Sequence, residues 1–304
     1  MGQYNFDQIL DRTHTKSLKY DFAVKCGKPA DVLPFWVADM DFEIPPELKQ
    51  ILLDRVNHGV FGYTESDDEY FDVLKNWFAT RFNWTPEQKW LVKTPGIVFA
   101  LAMAVRAFTK EGEGVLINQP VYYPFSMVID DNNRRLINVP LIKGEERYTI
   151  DFEGIERAIV EENVTLFLLC NPHNPVGRVW TEDELKRLGD ICIKHNVLIV
   201  SDEIHADFVW KGHTHKVFAA LGESYAEHCI VCTAPSKTFN IAGLQVSNIF
   251  IPNDSLRRRF IKEIDRAGYS QLNTMGIVGC EGAYKVGAPW LDELKEYIQD
   301  NIQF

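Results

Sequence analysis

Three runs of strand length are apolar, or nearly so, on both faces: Val164–Cys170, Val197–Val200 and Cys229–Cys232; Val246–Ile251 adds a fourth strand. A strand with one wet face alternates apolar and polar residues, whereas one that does not alternate has a core on each side. Between the first two runs, Thr181-Glu-Asp-Glu184 has the spacing of a capping box and opens an amphipathic helix running to His195. Upstream, the spacing predicts an apolar helix over Ile97–Phe108 and a short strand and turn over Gly114–Pro120. A polar stretch, a strand at Leu136–Pro140 and helical spacing over Asp151–Glu161 follow. Apolar strands separated by helices predict an α/β fold, with a mostly parallel sheet between helices. Ligands of such sheets sit at the carboxyl ends of the strands. Asn174, Asp202 and Lys237 each fall just after a predicted strand.

The ends differ from the middle. The first 45 or so residues are mixed and loop-rich, and Pro45-Pro46 marks a helix start. Pro289–Phe304 reads as an amphipathic helix with Leu291, Leu294, Tyr297, Ile298 and Ile302 on one face. A net charge of -11 argues against nucleic acid or an anionic membrane as the main partner. No apolar run approaches the ~20 residues of a spanning helix. The amino terminus has no basic segment followed by an apolar one, and Phe6 stands where a Met-Gly acylation motif wants Ser or Thr. Cys170, Cys192, Cys229, Cys232 and Cys280 lie in apolar runs, which predicts reduced thiols in a cytoplasmic protein. Cys229 and Cys232 are three apart on a strand, so they point to opposite faces and read as core. His213 and His215 lack a third ligand nearby and read as a polar turn.

Lys237 follows a buried strand in a small loop, Ala234-Pro-Ser-Lys237-Thr-Phe-Asn-Ile-Ala-Gly243. A partly desolvated amine titrates low, and the neutral amine attacks carbonyls. It is a candidate for a Schiff base with an aldehyde substrate or with pyridoxal 5'-phosphate (PLP). Other residues answer the remaining groups of that cofactor. Asp202 can pair with the pyridine N–H, an ion pair worth about 4 kcal/mol at ~4 Å and an effective dielectric of ~20. Asn174 can donate to the phenolic oxygen, and Tyr122 can stack on the ring. The amides of Gly96, Ile97 and Val98 open a helix, where a phosphate is favoured.

Asn171-Pro-His-Asn174-Pro-Val-Gly177, Ser201-Asp202-Glu-Ile-His205 and Ser236-Lys237 resemble the class I/II aminotransferases of PLP fold type I. Trp36-Val-Ala-Asp-Met-Asp-Phe42, Gln119-Pro-Val-Tyr122-Tyr-Pro-Phe125, Ser201–Asp207 and Ser236–Gln245 are similar to its MalY/PatB branch, the cystathionine β-lyases (carbon–sulfur lyases). The resemblance implies Lys237 as Schiff-base lysine and Asp202, Asn174 and Tyr122 in the roles just given. It places Ile97, Val98 and Ser236 around the phosphate and the Ala38 backbone near the substrate carboxylate. Tyr63 is implied to reach the phosphate of a neighbouring subunit, hence a homodimer.

The pattern departs in three places. His205, implied as a further cofactor contact, stands where many aminotransferases have a tyrosine near the phenolic oxygen, and Gln245 where many have a phosphate-binding arginine; Tyr122 and Asn174 are implied to line the substrate site with Ala38. Family members continue into a sheet that carries the carboxylate-binding arginine, so the chain is expected to be short at its end. The implied division is an N-terminal arm and part of a small domain (1–45), a PLP-binding large domain (46–285), and a helix (286–304) leading into a mostly absent small domain. The implied reaction is α,β-elimination on L-cystathionine or cysteine S-conjugates, giving a thiol, pyruvate and ammonia. An aminotransferase, and a PLP-holding regulatory protein with little catalysis, are the alternatives.

Overall fold

The capping box at Thr181 is formed in the computed structural model, which describes residues 2–304. Thr181 Oγ1 accepts from the Glu184 amide at 3.2 Å, and Glu184 Oε2 accepts from the Thr181 amide at 2.8 Å. Two amides that the first helical turn leaves without acceptors are thereby satisfied.

In chain order the helices are α1 (Pro46–His58), α2 (Asp68–Phe82), α3 (Ile97–Phe108), α4 (Pro124–Asp130) and α5 (Phe152–Glu161). They continue with α6 (Glu182–Lys194), α7 (Glu223–Ala226), α8 (Asp254–Arg266), α9 (Thr274–Val286) and α10 (Ala288–Gln303). The strands are β1 (Leu91–Thr94), β2 (Gly114–Ile117), β3 (Arg135–Asn138), β4 (Ile142–Lys143) and β5 (Tyr148–Thr149). The remaining four are β6 (Leu166–Cys170), β7 (Leu198–Asp202), β8 (Cys229–Thr233) and β9 (Ser247–Phe250).

Seven strands form one sheet in the order β1-β9-β8-β7-β6-β2-β3. The pairings from β3 through β8 are parallel, and β9 runs antiparallel to both β8 and β1. β4 and β5 make a separate antiparallel pair.

The expected two-sided burial is realised residue by residue. Phe167, Leu169, Ile199, Val231 and Phe250 belong to one core, packed under α2, α5, α6, α9 and α10. Leu166, Leu168, Val200, Ile230 and Ile249 belong to the other, under α3 and α8. Cys229 lies in the first core and Cys232 in the second, so the C-x-x-C spans the sheet and holds no disulfide. Each large apolar side chain so buried contributes about 1.5–3 kcal/mol.

One local reading is corrected. The stretch after Pro120, polar by composition, holds α4, with Pro124 in its first turn and Phe125, Val128 and Ile129 buried. On α10, Leu291 and Leu294 are buried and Tyr297 and Ile298 pack on the core, but Ile302 is exposed. The helix outruns the surface it covers. Phe6 and Phe42, from the N-terminal segment, close over α10 with ring contacts to Trp290 and Tyr297 at 5.4–5.7 Å among the four. Among the described residues no helix is long and apolar enough to cross a membrane.

Candidate active site

Lys237 sits four residues past the end of β8, and its loop is anchored at three points in four residues. Lys237 Nζ donates to the carbonyl oxygen of Ala38 at 3.1 Å. Thr238 Oγ1 donates to Asp207 Oδ2 at 2.7 Å, and Asp207 Oδ1 also accepts from Trp77 Nε1 at 3.1 Å. Asn240 is in the left-handed region at φ 56°. Its Oδ1 accepts from the Met40 amide, and its Nδ2 donates to the carbonyls of Met40 and Phe42, all at 2.9 Å. Burial lowers the pKa of the Lys237 amine, while Asp39 and Asp202 oppose that shift.

Asp202 ends β7 and lies in register with Cys170 on one side and Cys232 on the other. It is 5% exposed. Its Oδ1 accepts from the Ile204 amide at 3.1 Å. No lysine, arginine or histidine forms an ion pair with it among the described residues. Burial pushes its carboxyl up to about 7, with the Ile204 hydrogen bond opposing and the neighbouring Glu203 adding to the rise. A buried acid without a cation is the environment a pyridinium would complete.

Glu203, beside it, accepts from Ser201 Oγ at 2.8 Å, from the Phe218 amide at 2.9 Å and from His215 Nε2 at 2.8 Å. This corrects the reading of Gly212–His215 as a polar turn. His215 is buried, because a fully buried carboxylate needs that donor. Among the described residues no cluster of side chains could hold a metal ion.

α3 begins at Ile97, and Gly96 precedes it at φ 133°, a conformation open to glycine. A Cβ there would meet nothing nearer than Gln245 Oε1 at 3.9 Å, so a shallow space faces the helix start. The Gly96 amide is not free, since it donates to Ser247 Oγ at 3.2 Å. Ile97 and Val98 lie in the first turn, where amides have no intrahelical acceptor. The Ile97 side chain is buried and Val98 is exposed. Ser236, beside Lys237, is half-buried.

Asn174 is half-buried. Its amide donates to Cys170 Sγ at 3.3 Å, and its side chain has no hydrogen bond among the described residues. Tyr122 is 37% exposed and packs edge-on against Tyr123. Its phenol is raised by burial, then by Tyr123 and Asp202. His205 is pushed down to about 4 by burial and by Lys237, so it is neutral. These influences join Tyr122, Asp202, His205 and Lys237 in one electrostatic neighbourhood. Ala38 is exposed beside Val37, which holds a left-handed φ of 58°. For a β-branched residue that conformation costs on the order of 1–3 kcal/mol. Tyr63 is 100% exposed, and no hydrogen bond or ring contact joins it to the other candidates.

Asn240, Asp207 and Thr238 were not singled out from sequence. An asparagine three residues past the lysine, where a turn needs positive φ, is the signal that could have pointed to the first.

The residues fit PLP part by part: an amine held toward neutrality, a buried acid lacking a cation, a free side-chain amide, an accessible aromatic face, and a helix start with space before it. Comparison with known proteins agrees. Residues 30–304 match the family model of aminotransferase class I and II. The chain belongs to that family. It is 44% identical over 298 residues to cystathionine β-lyase PatB of Bacillus subtilis (strain 168), covering 98% of this chain and 77% of that one. A PLP-bound protein of Clostridium difficile 630 assigned as an aminotransferase superposes with a TM-score of 0.96 at 42% identity, over 99% of this chain and 78% of that one. The PLP-bound C–S lyase of Staphylococcus hominis superposes with a TM-score of 0.92 at 35% identity, over 99% and 75%. The similarity to PatB carries the expected branch within the family.

Proposed function

We propose that the protein is a PLP-dependent carbon–sulfur β-lyase acting on L-cystathionine or related cysteine S-conjugates. The observation that carries this reading is the pairing of a lysine amine lowered by burial with a buried, cation-free Asp202 at the ends of adjacent parallel strands. The cystathionine β-lyase named among its relatives supplies the substrate class.

Bound PLP supplies an electron sink for charge developing at the substrate Cα. The chain's own residues do the rest. Asp202 holds the ring nitrogen protonated, and Asn174 donates to the phenolic oxygen. Tyr122 would cover one ring face, while the Ile97 and Val98 amides and Ser236 would hold the phosphate. Lys237 Nζ would take the proton from the substrate Cα, for which a lowered pKa suits it. The sulfur group then leaves from Cβ, and hydrolysis of the released product gives pyruvate and ammonia. His205, neutral beside Lys237, adds no positive charge to the pocket.

We assign Tyr63 to the phosphate of a partner subunit in a homodimer. Its full exposure, with Val60 and Phe61 also exposed, supports that role. We further assign residues 1–45 and 286–304 to a smaller unit beside the PLP-binding part (46–285), and the protein to the cytoplasm. The test is turnover of L-cystathionine with and without a keto acid. Release of pyruvate and thiol without keto acid supports the lyase. Product that needs keto acid makes it a transaminase, and PLP binding without turnover makes it a holder of the cofactor.

A further inference from the structure

The segment from Trp36 to Phe42 lies against Lys237 as a strap, held by contacts on two sides. On one side Asn240 pairs with both the amide and the carbonyl of Met40 and reaches the carbonyl of Phe42. On the other, Arg12 donates to Asp39, to the Met40 carbonyl and to Asp41, and the buried Lys19 donates to the Asp39 carbonyl at 3.0 Å. Between the two sides, Val37 holds its unfavourable left-handed conformation and the Asp39 amide donates back to the Val37 carbonyl at 2.9 Å. The residue between them, Ala38, presents its carbonyl to Lys237 Nζ. A strained bend persists only where its surroundings over-determine it. Here the over-determination comes from Asn240 and from the Arg12 and Lys19 cluster.

Asn240 is also the residue through which the strap is tied to the lysine's own loop, three positions from Lys237. We infer that Asn240 is a positioning residue: it holds the strap so that the Ala38 peptide stays against the lysine amine, and amino-acid substrates bind against that fixed strap. This rests on the proposed function for its substrate class. It adds a residue that touches neither cofactor nor substrate and acts through Met40 and Phe42.

Asn240→Gly is the clean variant. It removes the amide while keeping a residue that tolerates φ 56°. Asn240→Asp keeps the acceptor for the Met40 amide and loses both donors. Three readouts are taken on the PLP-loaded protein: hydrogen exchange of the Met40 amide, the Kd for L-alanine (an amino acid with no β leaving group) from the visible spectrum, and KM and kcat for L-cystathionine. Asn240→Gly is expected to speed Met40 exchange at least tenfold. It should raise the L-alanine Kd and the L-cystathionine KM at least tenfold, with kcat falling less and PLP affinity within about threefold of wild type. Asn240→Asp should fall between the two.

Unchanged Met40 exchange would overturn the clamp. Faster exchange with unchanged Kd and KM would overturn its role in substrate positioning. If wild type turns over no sulfur amino acid, the lyase reading fails, and the exchange and L-alanine measurements still decide the clamp.

Discussion

Asp202 ends β7 and Lys237 lies four residues past the end of the neighbouring parallel strand β8, and each favours the charged form of the other against the burial that opposes it. Burial still wins at both. The protein without cofactor therefore holds a carboxyl raised to about 7 and an amine lowered from its usual value. Such a pair stores an unmet demand for a cation at one end and an electrophile at the other.

That demand gives a stability prediction. The folded-state pKa of Asp202 lies above its unfolded value. The stability it contributes is therefore fully present below about pH 4 and is lost as pH rises through about 7. In cofactor-free protein Asp202→Asn should be more stable than wild type at pH 8, by at most on the order of 4 kcal/mol, with the gain vanishing near pH 4. Urea unfolding at the two pH values checks this. The same variant should bind PLP more weakly.

Lys237→Ala should remove the visible absorbance of lysine-bound PLP and lower turnover by roughly 10³-fold or more. Spectra and pyruvate release before and after the substitution check it. A yellow protein that survives Lys237→Ala would show that another amine holds the cofactor.

The strands were legible because the parallel sheet buries both faces, so Leu166–Cys170 and Cys229–Cys232 carry no polar interruption. Lys237, Asp202 and Asn174 were legible because each follows such a run. α2, α8, α9 and β1 were not read. α8 has five charged residues between Arg257 and Glu263, so its core face rests chiefly on Phe260 and Ile264. α9 is rich in glycine, because Gly282 packs against Leu48 and Ile51 of α1, where a Cβ would come within 3.0–3.2 Å of three of their atoms. His215 was misread because the carboxylate that buries it, Glu203, is twelve residues away. The Asn240 clamp joins residues 200 apart in sequence, which no local pattern encodes.

Thr238→Val should expose the cost of the buried Asp207. That carboxyl keeps the Trp77 donor and loses the 2.7 Å bond from Thr238. A buried acceptor left short of a partner costs about 1–3 kcal/mol. The variant should lose that much stability in denaturant unfolding, and Thr238→Ser should recover most of it.

Tyr63 gives a prediction about assembly. Sedimentation should return twice the chain mass, and Tyr63→Phe should leave that mass unchanged. Losing a hydrogen bond to a charged phosphate should weaken PLP binding about tenfold or more. A monomer that binds PLP as tightly as the wild type after Tyr63→Phe would remove the partner from the site.

The most direct measurement of the central claim is product stoichiometry. Purified PLP-loaded protein is given L-cystathionine with no keto acid, and pyruvate, ammonia and free thiol are followed together, with Lys237→Ala as control. The account predicts the three products in equal amounts over many turnovers, and none from the control. Pyruvate and thiol that fail to form unless a keto acid is added would contradict it.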